Sequence, residues 1–130
     1  MSKAVKLGRV QLQIMHVLWQ TGEVTARQIT DELSAKEPIA HSTVQTLLRK
    51  MEAKGAVEHV KRERAFYFRP LIARDDVAEN AARDLLSRVF HGSISNLVAH
   101  LIGSEKISDD EMKRLRELID AHSDETGETK

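Results

Sequence analysis

The stretch from residue 41 to residue 70 changes its pattern of hydrophobicity half-way along, and this change restricts the folds open to the chain. Apolar residues between 44 and 51 recur at the spacing of one helix face. After Gly55, apolar and polar residues alternate in two short runs between 57 and 69, which predicts two strands. The basic run Lys61–Arg64 separates them, so a helix is predicted to lead directly into a hairpin with a basic tip.

Two further helices are predicted before this stretch. The first covers residues 9–20, where apolar residues again recur at helical spacing. The second covers residues 25–36, and Thr25 and Gln28 have the spacing of a capping box at its start. Pro38 then predicts a break before the third helix, because the residue before a proline avoids helical geometry.

Three helices followed by two strands, within about 65 residues, is the order of a winged helix-turn-helix domain. We therefore predict a mainly α protein in which residues 1–72 form three helices plus a two- or three-stranded wing. Ser42 and Gln45 repeat the capping-box spacing, which predicts that the third helix opens at Ser42. In such domains this helix enters the major groove of DNA and the wing lies against the backbone.

The outward side of the third helix carries side chains that suit the major groove. Short hydroxyl residues let the helix axis approach the bases, and a glutamine can bond adenine through two atoms. Basic residues at the wing suit phosphate groups, which they contact without reading sequence. The predicted DNA contacts are Ser42, Thr43, Gln45, Thr46, Arg49 and Lys50 on the helix, Lys61, Arg62 and Arg64 on the wing, and Thr25 and Arg27 at the second helix.

Three more helices are predicted in residues 73–122. Gly103 is predicted to end the second of them and Ser108 to open the third, and residues 123–130 are predicted to form a flexible tail. About 50 residues of short helices bury too little apolar surface to be stable alone. They need the winged domain, a partner chain or both to cover their apolar stripes. A homodimer would cover them and present two reading helices to two half-sites, whereas the alternative is a single monomeric core. The predicted dimerisation residues are Val77, Ala81, Leu85, Val89, Leu97, Leu101, Met112, Leu115, Leu118 and Ile119.

The net charge of zero hides an uneven distribution along the chain. Residues 1–70 contain 12 Lys and Arg against 7 Asp and Glu, whereas residues 71–130 contain 8 against 13. A basic half joined to an acidic half indicates that the first half meets a polyanion. Double-stranded DNA is the polyanion that fits the predicted fold.

Several classes of protein are disfavoured by composition. The chain contains no cysteine, which excludes a disulfide framework and a thiolate metal site. It shows no signal peptide and no apolar run long enough to insert into a membrane, so a cytoplasmic protein is predicted. His91, His100 and His122 lack the spacing of a metal motif, and no catalytic arrangement is evident. We expect no enzyme activity, no metal and no cofactor.

The chain resembles the penicillinase-repressor family, which also includes methicillin-resistance repressors and copper-responsive relatives. The resemblance is carried by IMHVLW, VTARQITDEL, STVQTLLRKMEAKG, AFYFRPLI and RDLLSRVFHGS. It implies a homodimeric repressor on a palindromic operator, with the last helices as the dimer interface. It also implies release by a membrane sensor-protease system, through cleavage of an Asn-Phe bond that falls near His100–Leu101 here. That Asn-Phe pair is absent, and so is the cysteine-rich motif of the copper-responsive relatives.

Two other functions compete with repression. A winged helix can serve as a protein–protein interaction module without binding DNA, which would predict an apolar outer face on the third helix. Gln45, Thr46 and Arg49 are polar there. An enzyme such as a His/Asp metal hydrolase would need clustered ligands, and the sequence shows no such cluster.

Overall fold

The computed structural model describes residues 5–126 and their side chains as far as residue 124. The chain divides into two compact units between Arg83 and Asp84, inside a helix and 11 residues beyond the predicted domain boundary. The elements are α1 Arg9–Thr21, β1 Val24–Thr25, α2 Ala26–Ser34, α3 His41–Ala53, β2 Val57–Arg62, β3 Ala65–Pro70, α4 Arg74–Phe90, α5 Ile94–Ser104 and α6 Asp109–Thr126. None of the described helices is both long enough and apolar enough to cross a membrane.

The core of the first unit is built from the apolar faces predicted for the three helices. Leu18 of α1, Ile29 of α2 and Leu48 of α3 are completely buried together. Phe68 of β3 packs against this cluster from the sheet side and is half-buried. The cluster consists of Ile14, Met15, Leu18, Val24, Ile29, Val44, Leu48, Met51, Ala56 and Val57. Because α3 contributes one side to this core, its opposite side is left at the surface.

The capping box predicted for α2 is present. The Thr25 hydroxyl oxygen accepts the backbone N–H of Gln28 at 3.2 Å, and the Gln28 side-chain oxygen accepts the backbone N–H of Thr25 at 2.8 Å. These two bonds satisfy N–H groups that the first turn of a helix leaves without partners. The helix consequently begins one residue after Thr25.

The capping box predicted at Ser42 is wrong, because α3 begins earlier. Ala40 is the N-cap residue, in extended geometry, and no side chain caps this end. The Ala40 carbonyl oxygen accepts the N–H groups of Thr43 and Val44 at 3.0 and 3.3 Å. Ser42 therefore lies within the first turn, where its hydroxyl is available at the surface.

Gly55 ends α3 as its position predicted. Its φ of 84° lies in the left-handed region, which a residue with a Cβ adopts at a cost. The N–H of Ala56 bonds to the Met51 carbonyl at 2.9 Å, and the N–H of Gly55 bonds to the Glu52 carbonyl at 3.0 Å. This pair of bonds is a Schellman motif, and it directs the chain from α3 straight into β2.

The three strands form one antiparallel sheet in the order β1-β3-β2. The two predicted strands are β2 and β3, each extended by one or two residues. Their pairing continues to Arg62 opposite Ala65, so the predicted four-residue tip is wrong. The turn consists of Glu63 and Arg64 alone, both with positive φ (48° and 74°), as in the type I′ turn of tight hairpins. Lys61 and Arg62 belong to β2 because the extended alternation carries on through them.

The second unit contains the end of α4, α5 and α6. Gly103 was predicted to end α5, but this is wrong: the helix continues to Ser104, and Glu105 is the first residue in extended geometry. The hydroxyl oxygen of Ser108 accepts the N–H of Glu111 at 3.1 Å, as predicted for the start of α6. That helix reaches Thr126, four residues into the predicted tail, and residues 127–130 lie outside the described part of the chain.

Candidate nucleic-acid interface

The outer side of α3 is a continuous polar surface. All six residues predicted to contact DNA here are exposed, whereas Val44, Leu48 and Met51 on the other side are buried. Arg49 reaches back to the Thr46 hydroxyl at 3.4 Å, so the two side chains lie next to each other on this surface. We name this surface the reading face; it consists of Ser42, Thr43, Gln45, Thr46, Arg49 and Lys50.

A side-chain hydrogen bond that we did not predict joins α2 to α3. Thr30 is buried in α2, and its Oγ1 lies 2.8 Å from Nδ1 of His41, the first residue of α3. The same hydroxyl donates to the Ala26 carbonyl at 2.9 Å. The bond lies at the junction of the two helices, where it fixes the start of the reading face relative to α2. A threonine beside Ile29 on the buried side of α2 was the available signal in the sequence.

The wing carries its predicted basic residues at the surface, but they differ in their surroundings. Lys61 lies with its ammonium 5.8 Å from the centre of the Phe66 ring. Arg64 sits in the turn and, among the described residues, has neither a hydrogen bond nor an ion pair. Arg62 lies 5.6 Å from the centre of the Tyr67 ring and is held by a carboxylate.

That carboxylate belongs to Glu23, in the turn between α1 and β1. Its two oxygens accept Nη1 and Nη2 of Arg62 at 2.5 and 3.2 Å. Arg69 also donates to Glu23 at 3.2 Å, and its Nε donates to Glu58 at 2.6 Å. The Arg62 hydrogen bond, followed by the charges of Arg62 and Arg69, holds the pKa of Glu23 below its usual value of 4.5. The hydrogen bond that Arg69 donates to Glu58 in turn raises the pKa of Arg69.

The position of Glu23 follows from the register of the sheet. Val24 pairs with Phe68 on the antiparallel neighbouring strand. Glu23, which precedes Val24, therefore lies beside Arg69, which follows Phe68. Arg62 lies at the end of β2, opposite Ala65, and its side chain passes the Tyr67 ring to reach the carboxylate. Glu23 was not among the predicted site residues because 39 residues separate it from Arg62, and β1 was not among the strands predicted individually.

The two residues predicted to contact DNA from the start of α2 are placed differently. The hydroxyl of Thr25 is half-buried and already accepts the N–H of Gln28. Arg27 is exposed in the first turn of the same helix. Arg27 is thus the better placed of the two to reach a phosphate group.

The residues predicted to form a dimer interface are only partly covered within one chain. Between residues 84 and 124, no side chain is fully buried. Leu118 and Ile119 of α6 are 49% and 65% exposed, and Leu101 of α5 is 49% exposed. Val77, Leu97, Met112 and Leu115 are half-buried, whereas Ala81, Leu85, Val89, Leu101, Leu118 and Ile119 are exposed.

The position that the family resemblance assigns to cleavage lies inside a regular helix. His100 and Leu101 are both exposed in α5. Nδ1 of His100 hydrogen-bonds the Asn96 carbonyl at 3.0 Å, and its ring stacks edge-on against Phe90 at 5.2 Å. A protease would have to unwind α5 to reach this bond.

Among the described residues, no group of three or more His, Asp or Glu side chains is arranged to hold a metal ion.

A family model described as "Penicillinase repressor" matches residues 7–121, which is most of the chain. The chain belongs to the penicillinase repressor family. Among its relatives, the penicillinase repressor of Bacillus licheniformis is 26% identical over 122 residues, covering 94% of this chain and 95% of that protein. The transcriptional regulator BlaI of Mycobacterium tuberculosis is 30% identical over 121 residues, covering 92% of this chain and 86% of that protein.

A solved structure supports the fold of the DNA-binding part. It is the monomeric form of Bacillus licheniformis BlaI in complex with the blaP half-operator. This structure is 30% identical, with a TM-score of 0.51, and the match covers 58% of this chain and 93% of that one. The predicted winged-helix fold and the family resemblance are thereby confirmed.

Proposed function

We propose that this protein is a homodimeric transcriptional repressor that binds a palindromic operator, with one winged domain on each half-site. The observation that carries the proposal is the reading face, an exposed polar helix surface beside a basic hairpin in a member of a repressor family. A related repressor at 30% identity forms a complex with a half-operator as a monomer, which supports one domain for each half-site.

The reading face supplies the chemistry for sequence recognition. Gln45 has both a donor and an acceptor, which match the N6 and N7 atoms of adenine in the major groove. Ser42, Thr43 and Thr46 are short, so they allow the helix to approach the base edges closely. Lys61 and Arg64 of the wing supply cations for the phosphate backbone, which position the domain without reading sequence.

Dimerisation through the second unit is supported by the apolar side chains that α5 and α6 leave uncovered. Covering leucine and isoleucine side chains that are half-exposed in one chain removes further apolar area from water, which stabilises the assembly. A two-fold axis through these helices would pair identical surfaces. Two half-sites one helical turn apart require the two copies of α3 to lie about 34 Å apart, the distance between successive major grooves on one face of DNA.

Release of the operator would follow from separating the winged domain from its dimerisation helices. A single domain on one half-site gives up the joint binding energy of two linked domains. The region around His100 and Leu101 would be the cut point if a membrane sensor-protease system acts on this protein. A repressor of this kind would work in the cytoplasm, where the DNA is.

Selection of bound sequences from a library of random duplex DNA tests the proposal. We expect enrichment of a palindrome whose half-sites are about one helical turn apart. A variant with Gln45, Thr46 and Arg49 all changed to alanine should retain its fold, since these side chains are exposed, and should lose the enrichment. Binding without any sequence enrichment would contradict operator recognition. A protein that binds no DNA would instead fit an interaction module.

A further inference from the structure

We propose that Glu23 restrains the sequence-independent affinity of this protein for DNA by keeping Arg62 away from the phosphate backbone. The inference rests on the proposed function of the wing as a backbone contact. Glu23 lowers the affinity for DNA, whereas the basic residues around it raise this affinity. Arg62, which the sequence alone places among the phosphate contacts, pairs instead with the Glu23 carboxylate of its own chain.

The geometry of the pair is that of a two-point clamp. Both terminal nitrogens of Arg62 donate to Glu23, one to each carboxylate oxygen, at 2.5 and 3.2 Å. Bidentate pairs of this kind are stronger and more directional than single contacts. The side chain of Glu23 is 25% exposed, and the hydrogen bond from Arg62 lowers its pKa, so the carboxylate stays ionised and balances the charge of Arg62.

The surrounding charges make Arg62 different from its neighbours on the wing. Glu23 and Glu58 face Arg62 and Arg69, which gives two anions and two cations in one connected group. Lys61 and Arg64 have no carboxylate partner among the described residues. Beside the exposed carboxylate of Glu63 in the turn, the wing therefore presents two cations without an ion-pair partner to a polyanion, rather than the three that its sequence suggests.

The consequence for binding follows from counterion release. Each cation that neutralises a phosphate steepens the dependence of log K on log salt by about 0.9. Arg62 can neutralise a phosphate only if its pair with Glu23 breaks, or if the Glu23 carboxylate moves close to that phosphate. Both events cost free energy on every DNA sequence, so Glu23 lowers affinity for DNA in general and leaves base reading to α3.

Titration of labelled random-sequence duplex DNA at several salt concentrations tests this role. The variants are Glu23→Gln, Glu58→Gln and the double variant Glu23→Gln with Arg62→Ala. Glu58→Gln is the matched control, because it raises the net charge by the same amount but leaves Arg62 paired with Glu23. The double variant has the same net charge as the wild-type protein.

Glu23→Gln should steepen the salt dependence by about 0.9 for each bound winged domain, which is about an eightfold gain at 0.1 M salt. Glu58→Gln should change affinity much less, and the double variant should return to the wild-type slope. An unchanged or lower affinity in Glu23→Gln would overturn the inference, as would an equal gain in Glu58→Gln or a gain that persists without Arg62.

The proposed function can fail separately. If the wild-type protein shows no salt-dependent binding, or if Arg64→Ala leaves the slope unchanged, the wing does not contact DNA at all. If Arg64→Ala flattens the slope and Glu23→Gln does nothing, only the role of Glu23 is wrong. Should Glu23→Gln fail to fold, the side-chain Nε resonance of Arg62 in the wild-type protein decides: it should shift little on adding random DNA, and a large shift overturns the inference.

Discussion

The hydroxyl of Thr30 and the imidazole Nδ1 of His41 lie 2.8 Å apart and join the two helices of the helix-turn-helix. Because the single hydroxyl proton goes to the Ala26 carbonyl, the threonine oxygen accepts an N–H from the histidine. The position of His41, and with it the start of α3, is therefore tied to a buried residue of α2. This bond therefore fixes the position of the reading face relative to α2.

We predict that Thr30→Val destabilises the winged domain by about 1 kcal/mol, because it leaves the histidine N–H without its acceptor. The thermal midpoint should fall by about 4–8 °C for a unit of this size. Thr21→Val is the control, since that hydroxyl also donates to a backbone carbonyl of its own helix but is exposed. Equal effects of the two substitutions on thermal unfolding would show that the bond to His41 contributes nothing.

Gln45→Ala should lose a base-edge contact worth ~1–3 kcal/mol and relax specificity at one base pair of each half-site. Folding should be unaffected, because Gln45 is exposed on α3. The measurement is a titration of the selected operator and of random DNA, side by side. Equal losses on both DNAs would mean that Gln45 contacts the backbone and not a base.

Arg64→Ala should weaken binding to all sequences alike, because this cation in the hairpin turn lacks an internal partner among the described residues. The salt dependence of log K should flatten by about 0.9 for each bound domain. Arg83→Ala removes the same charge from α4, where the arginine pairs with Glu79, and should leave the slope as it is. A slope that is equal in both variants would place the wing away from the DNA.

Leu118→Asp should convert the protein to a monomer if α6 lies in the dimer interface. A charge buried there without a partner is strongly destabilising, by about 3–5 kcal/mol. The winged domain should stay folded, since its core lies in the first unit. Analytical ultracentrifugation and operator titration check both points, with Lys113→Asp on another side of the same helix as the control. A variant that stays dimeric with normal binding would place the interface elsewhere.

The Glu23 carboxylate should make the winged domain sensitive to acid. Its pKa is depressed in the folded protein, so it stabilises the fold fully above its unfolded value of about 4.5 and loses this effect as the pH falls through the folded pKa. The urea midpoint of the wild-type protein should therefore fall more steeply between about pH 5 and pH 3 than that of Glu23→Gln. Parallel curves would show that the pair with Arg62 adds no stability.

The local pattern of the sequence was sufficient for the helices and for the reading face. Apolar residues three and four apart must share one side of a helix, so burying Val44 and Leu48 necessarily exposes Gln45 and Thr46. The cap of α2 and the end of α3 at Gly55 were predicted for the same reason. In each case the atoms that interact lie within a few residues of one another along the chain.

Only the tertiary structure decided which charged side chains meet. Arg62 was predicted to contact phosphate because nothing in its neighbourhood along the chain distinguishes it from Arg64. The pairing of β1 with β3 brings Glu23 beside Arg69, and Arg62 reaches the same carboxylate past the Tyr67 ring. A two-residue strand such as β1 has too little pattern of its own to be recognised, so the residues that it positions, 39 apart, come together only through the register of the folded sheet.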